Sequence, residues 1–139
     1  MTEISIRQVG EEWKGRTIQF RYHTTHYYDL EVETLTDGVR FTLQRKPFDN
    51  VVKKSFDSNL FSDHLIEPQV FVAERDGHLM GVLELSVEDW ANRLRIANIW
   101  VTEGGRRQGL GKRLMAKAVA VAREQKRRGL VLETQTCND

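Results

Sequence analysis

Two periodicities divide the chain. Residues 4–9, ISIRQV, alternate apolar and polar positions, which predicts a strand. The run TIQFRYHTTHYYDLEVETLTDGVRFTLQRKPF is dense in aromatic and β-branched residues and carries the turn signal Asp37-Gly38. It predicts strands near Ile18 to His23, Tyr27 to Thr34 and Arg40 to Gln44, ending at Pro47. The stretch DNVVKKSFDSNLFSDH (49–64) reads as a helix. PQVFVAERDGHLMGVLELSV predicts a hairpin with strands near Val70 to Glu74 and Leu79 to Ser86, turning at Arg75-Asp76-Gly77-His78. RLRIANIWV (93–101) is apolar on nearly both faces, as in a strand covered on both sides. From Gly109 to Arg128 the period changes. Leu110, Leu114, Ala118, Val121 and Ala122 recur at helical spacing with Lys and Arg opposite, so this is an amphipathic helix that Gly129 should end. LVLET (130–134) is then a short buried strand, parallel to 93–101 if the crossover is the usual right-handed one.

At 139 residues the prior is one domain with a real core. The second half, 68–139, forms its organised part, and 1–60 is strand-rich. One cysteine, Cys137, excludes an internal disulfide. No apolar leader and no run of membrane-spanning length occurs, so a cytoplasmic protein without a membrane partner is expected. The net charge of +1 hides an asymmetry: nine basic residues against two acids between Val101 and Arg128 give that segment +7 and leave the rest at −6. Most of these cations read equally well as a solvated helix face. Nucleic-acid binding through them is the weakest reading, because no reading motif or aromatic platform accompanies them.

The chemistry concentrates in VTEGGRRQGLGKRLM, a strand end, a glycine-rich turn and a helix start. A helix N-terminus leaves N–H groups unpaired at the positive end of its dipole, and glycines let an anion approach the backbone. The segment therefore predicts a phosphate site. A Walker A loop fails, because Leu110 follows Gly109 where lysine is required. The dinucleotide fingerprint fails, because Leu114 occupies its third glycine. Arg106-Arg107-Gln108-Gly109-Leu110-Gly111 does match R/Q-x-x-G-x-G/A.

With Ile99-Trp100-Val101 leading in from a strand, this turn resembles the GNAT superfamily of N-acetyltransferases. EDWANRLRIANIWV, RRQGLGKRLM and GLVLETQTCN look like its streptothricin acetyltransferase branch. The likeness covers the second half well and the first half loosely. It implies an α/β fold with a mixed sheet, the acyl-CoA N-acyltransferase fold, here lacking its C-terminal helix and strands. It also implies acetyl-CoA as cosubstrate and the amine of a small molecule, such as an antibiotic, as acceptor. Carried over, the backbone of Ile99, Trp100 and Val101 pairs with the pantetheine arm. Arg106, Arg107, Gln108, Gly109, Leu110, Gly111 and Lys112 hold the pyrophosphate, and Asn138 lies near the thioester arm.

Acetyl transfer needs a polarised thioester, a deprotonated amine and a proton for the leaving thiolate. The family's usual central-strand glutamate is replaced here by Ile96-Ala97-Asn98-Ile99. Asn98 can orient a water. Glu84, on the neighbouring strand, either faces the same cleft or is an ordinary solvent-facing residue. Glu133 reads as a carboxylate on a buried strand. The family's acid is a tyrosine beyond the counterpart of Asn138, so the resemblance implies either a fragment or a second chain that supplies that part, unless Tyr27 or Tyr28 substitutes. An unpaired edge at Leu130 to Thr134 would then favour self-association, as a homodimer, through that end. Tyr27, Tyr28, Asp29, Glu31 and Glu33 offer an acidic, aromatic wall for a cationic amine, or simply a half-exposed hairpin. His23 and His26, three apart on a strand, face opposite sides, so no metal site is expected. Trp90 and Trp100 read as core. The alternative to an enzyme is a non-catalytic CoA-binding module.

Overall fold

The computed structural model describes residues 3–135 and 137. Among these, seven strands and one α-helix follow in the order β1 (Ser5–Val9), β2 (Thr17–Leu35), β3 (Gly38–Asn59), β4 (Gln69–Arg75), β5 (His78–Glu88), β6 (Arg93–Val101), α1 (Leu110–Glu124) and β7 (Gly129–Val131). Contacts divide the chain into two compact units. One holds the residues up to Ile18 with Asp57–Glu133, and the other Gln19–Phe56 with the described residues from Thr134 on.

The first unit is a five-stranded sheet in the order β1-β4-β5-β6-β7. The pairs β1–β4, β4–β5 and β5–β6 are antiparallel, and β6–β7 is parallel, as the crossover through α1 requires. The mixed sheet and its helix agree with the fold class read from the sequence. The hairpin turn at Asp76 and Gly77 has φ of 51° and 75°, the left-handed pair that Asp-Gly supplies most readily. Leu110, Leu114, Ala118, Val121 and Ala122 are all buried, and they pack on Phe71, Leu83, Leu85, Leu94 and Ile96 of the sheet. The opposite face of β4 and β5 buries Val70, Val72, Val82 and Glu84. Gly81 on β5 sets how closely the helix approaches. A Cβ there would lie 3.0 Å from the Trp100 carbonyl oxygen and 3.2 Å from a methyl of Leu114. No helix among the described residues is long and apolar enough to cross a membrane.

Several expectations are corrected. The helix expected over 49–64 is instead the second half of β3, followed by turns. Pairing with the strand-forming residues of β2 overrides the weak local helical preference. Pro47 interrupts neither strand, because in a two-stranded ribbon every second N–H points away from the partner and is not needed. The three short strands are thereby two long ones, turned at Thr36 and Asp37. Helix α1 ends at Glu124 rather than at Gly129. Lys126 takes the left-handed conformation, φ 55°, and Gly129 opens β7. The strand after the helix is only Gly129–Val131, half-buried rather than buried. Glu133 lies past its end, exposed, and its carboxylate pairs with Arg95. Trp90 is 81% exposed, on the turn between β5 and β6 and outside the sheet, with the Arg93 guanidinium 4.9 Å from its ring centre.

The second unit is the greater part of the β2–β3 ribbon. Phe20 and Phe56 stack at 4.7 Å between centroids, and Tyr27 meets Phe48 at 4.7 Å. Tyr22 donates its hydroxyl hydrogen to Gln135 Oε1 at 2.5 Å and lies 3.8 Å from Cys137 Sγ. Burial, and then the contact with Cys137, push the Tyr22 phenol above its ordinary pKa.

Candidate active site

Strand β6 carries two different edges. Toward β5 it is paired along its length, Arg93 with Glu88 through Val101 with Gly81. Toward β7 it is paired only at Arg93, Leu94 and Arg95. From residue 96 to 101, that second edge meets no strand among the described residues. A bulge helps set this up: Glu84 faces Asn98 while Leu85 faces Ile96, so Ala97 is an extra residue on β6. Ala97 through Val101 are all half-buried. Ile99, Trp100 and Val101 thus lie on a stretch of β6 that β7 does not reach.

The turn that follows is held by its own hydrogen bonds. Thr102 N–H donates to the Met80 carbonyl at 2.9 Å, and the Thr102 hydroxyl accepts from Gly105 N–H at 3.1 Å. Gln108 Nε2 donates to the Gly104 carbonyl at 2.7 Å, and Arg75 donates to Gln108 Oε1 at 2.8 Å. Gln108 is therefore a brace of the loop, a role its place in the motif did not reveal. Arg107 (φ 61°) and Gly109 (φ 76°) both adopt the left-handed conformation that turns the chain into α1. Gly109 is the N-cap and brings no side chain to the helix end, so the N–H groups of the first turn, from Leu110 to Lys112, lack an intrahelical acceptor.

The glycines of this turn are not equivalent. At Gly105 a Cβ would meet Thr102 Oγ1 at 3.0 Å and Met80 O at 3.2 Å, so its small size serves packing. Gly109 is explained by its φ. Gly111 lies inside the first helical turn, and a Cβ there would meet nothing within 4 Å. Glycine in a helix costs about 1 kcal/mol relative to alanine, and no protein contact at this position explains that loss. Around it, Arg106, Arg107 and Lys112 are exposed cations at the positive end of the dipole. Leu110, in contrast, is buried beneath the turn and can offer a ligand only its backbone. Arg113 is committed elsewhere, donating to the Ile4 carbonyl at 3.0 Å.

Glu84 is the unexpected member. It is 0% exposed and not solvent-facing. Its Oε2 accepts from Phe61 N–H at 2.7 Å, and its Oε1 accepts from Asn98 Nδ2 at 2.8 Å. Two good donors are what a buried carboxylate requires. Because a carboxylate only accepts, Asn98 must offer its NH2 to Glu84, leaving Oδ1 as the acceptor on the half-buried side chain. Asn138 lies outside the described residues. The acidic wall expected around Tyr27 is neither one-sided nor free. Tyr28 points to the opposite face from Tyr27, Asp29, Glu31 and Glu33 by strand alternation, Asp29 pairs with Lys46 at 2.6 Å, and Glu33 pairs with Arg40 at 3.2 Å. Asp29, by hydrogen bond and then charge, raises the pKa of the Lys46 ammonium.

A half-open strand edge running into a glycine turn at a helix start defines the acyl-CoA N-acyltransferase architecture. The profile of the acetyltransferase (GNAT) family matches residues 20–139, and the chain belongs to that family. Within it, the chain is 34% identical over 117 residues to the streptothricin acetyltransferase of Streptomyces lavendulae. That match covers 78% of this chain and only 61% of the relative's length. The solved structure of a nourseothricin acetyltransferase superposes with a TM-score of 0.73 at 29% identity, covering 97% of this chain and 75% of that one. A Bacillus anthracis protein provisionally assigned as a streptothricin acetyltransferase, solved with acetyl coenzyme A, shares the fold at a TM-score of 0.64. Its identity is 20%, over 98% of this chain and 77% of that one.

Proposed function

We propose that the chain supplies the acetyl-CoA site of an N-acetyltransferase acting on a primary amine of a streptothricin-like antibiotic, with residues 68–139 as its cofactor-binding core. The observation that carries this reading is Gly111, a helix-weakening residue whose missing side chain leaves open space beside unpaired N–H groups. A pyrophosphate fits there. Arg106 N–H is held by the Glu103 carbonyl at 3.3 Å, so the backbone from Arg107 to Lys112 donates to the pyrophosphate, and the Arg106, Arg107 and Lys112 side chains add charge. The edge of β6 at Ile99 to Val101, beyond its pairing with β7, takes an amide-bearing arm as a strand would. Acetyl-CoA, when bound, supplies an acetyl group activated as a thioester. A β6 N–H aimed at the carbonyl oxygen polarises it. Asn98, fixed by its hydrogen bond to Glu84, keeps Oδ1 as an acceptor to orient the attacking amine or a water that takes its proton. Glu84 acts through Asn98, being itself without exposed surface.

A second reading, a CoA-binding module without turnover, is favoured by one observation. The 96–101 stretch of β6 bears no carboxylate, and Glu84 has both oxygens engaged. Calorimetric titration with acetyl-CoA, followed by a thiol-release assay with streptothricin as acceptor, separates the two. Binding with acceptor-dependent thiol release is expected. Binding without release supports the module, and absence of binding overturns both.

A further inference from the structure

The β2–β3 ribbon is amphipathic in a way the acetyltransferase reading does not use. Three cross-strand contacts fix its faces: Glu33 with Arg40, Asp29 with Lys46, and Tyr27 with Phe48. Over 27–33 of β2 and 40–48 of β3, odd residues of the one therefore share a face with even residues of the other, and this face carries the ion pairs. The other face presents Tyr28, Leu30 and Val32 beside Val39, Phe41 and Leu43. All six are exposed, from 39% at Tyr28 to 67% at Phe41. Scattered exposed apolar residues are ordinary, but six of them clustered on one face of a two-stranded sheet are not.

We infer that this face is a self-association surface, and that its occupant is the same face of a second copy of the chain. Two features favour a second copy. The face carries one charged residue, Arg45 beyond Leu43, and no acid, so the apolar row needs no unlike charge from its partner, and a twofold contact has only to keep the two Arg45 side chains apart. The area agrees as well: roughly 500 Å² per chain, or about 1,000 Å² per pair, is at the low end of specific interfaces and suits a weak, reversible dimer. A lipid surface is disfavoured, because the opposite face mixes Asp29, Glu31 and Glu33 with Arg40 and Lys46 and offers no basic band. The two ribbons would stack as layers about 10 Å apart, burying Phe41 and Leu43 against their counterparts. The inference rests on the ribbon alone and stands whether or not the chain transfers acetyl groups.

Sedimentation velocity on the full chain tests it, with Phe41→Glu and Phe41→Lys measured separately and as an equimolar mixture. Wild type should pass from monomer to dimer as concentration rises to roughly 100 μM. Each charged variant alone should weaken the dimer at least about tenfold, and the mixture should restore it, because opposite charges then meet. Leu43→Thr, uncharged and strand-compatible, should weaken it in the same direction, and thermal melts matching wild type show that each variant folds. A wild type that stays monomeric throughout overturns the inference. So does a dimer indifferent to all three substitutions, or a monomer that binds phosphatidylcholine vesicles through Phe41.

Discussion

Helix α1 with its strands and the β2–β3 ribbon handle apolar residues in opposite ways. In the first, Leu110, Leu114, Ala118 and Val121 are buried against the sheet, and open space borders the glycine turn at Gly104, Gly109 and Gly111. In the second, Leu30, Val32, Phe41 and Leu43 stay more than half exposed, and local order comes from ring pairs and ion pairs along the ribbon. The first region is stable because it is covered, and it can therefore hold a preorganised row of N–H groups. The second leaves apolar side chains exposed on one face, which is where the inferred self-association would act. The nourseothricin acetyltransferase match covers 97% of this chain, so it includes the ribbon as well as the core.

The largest effect that would break this comparison lies in the helix. Leu114 is 0% exposed, and Leu114→Ala should cost about 2–5 kcal/mol in urea denaturation. Leu43→Ala, removing the same atoms from an exposed position, should change stability by no more than about 0.5 kcal/mol in dilute monomer. Equal losses at the two sites would mean that the ribbon face is covered within the monomer.

The same contrast governs what was legible in the sequence. The helix stripe was readable residue by residue, because burial against a sheet imposes the 3.6 period without exception. The hairpin of β4 and β5 and the whole of β6 were readable because Asp76-Gly77 and the apolar run leave one interpretation. The second half of β3 was not. Val51, Val52, Lys53 and Lys54 carry no decisive period, and a partner more than twenty residues away settles their conformation. In the candidate site, the glycine turn at the helix start was legible as a motif. The burial of Glu84 was not, because nothing local announces that Phe61 N–H and Asn98 converge on it. The bracing of the turn by Gln108 and the close fit of Gly81 under α1 are likewise properties of packing.

A smaller effect sharpens the comparison inside the covered region. If the space beside Gly111 is there for a ligand, Gly111→Ala should separate folding from binding. The new methyl meets no protein atom, so the fold should gain about 0.5–1 kcal/mol from helix propensity. Acetyl-CoA affinity should fall at least about tenfold by calorimetry, because the methyl occupies the space assigned to the pyrophosphate. A variant that is both more stable and binds normally would remove Gly111 from the site.

The smallest effect concerns ion pairs. At the β5–β6 corner, Glu88 accepts from Arg93 and Arg95, and Arg95 also reaches Glu133. The hydrogen bond from Arg93, then that from Arg95, hold the Glu88 carboxyl below its ordinary pKa. A depressed folded pKa contributes stability that is present above the unfolded value of about 4.3 and is lost as pH falls through the folded value. The melting temperature of Glu88→Gln should therefore lie below that of wild type near neutral pH, and the gap should close as pH drops below about 4. The ribbon provides the opposite sign. Lys46, raised by Asp29, contributes stability that is present below the unfolded lysine value of about 10.4 and is lost as pH rises through its raised folded value. Lys46→Met should accordingly differ from wild type near neutral pH and converge with it only on the alkaline limb. These are surface pairs, so each difference should be a degree or two and shrink in high salt. A gap for Glu88→Gln that stays constant from neutral pH to pH 3 would show that the glutamate acts at this corner through packing and not through its charge.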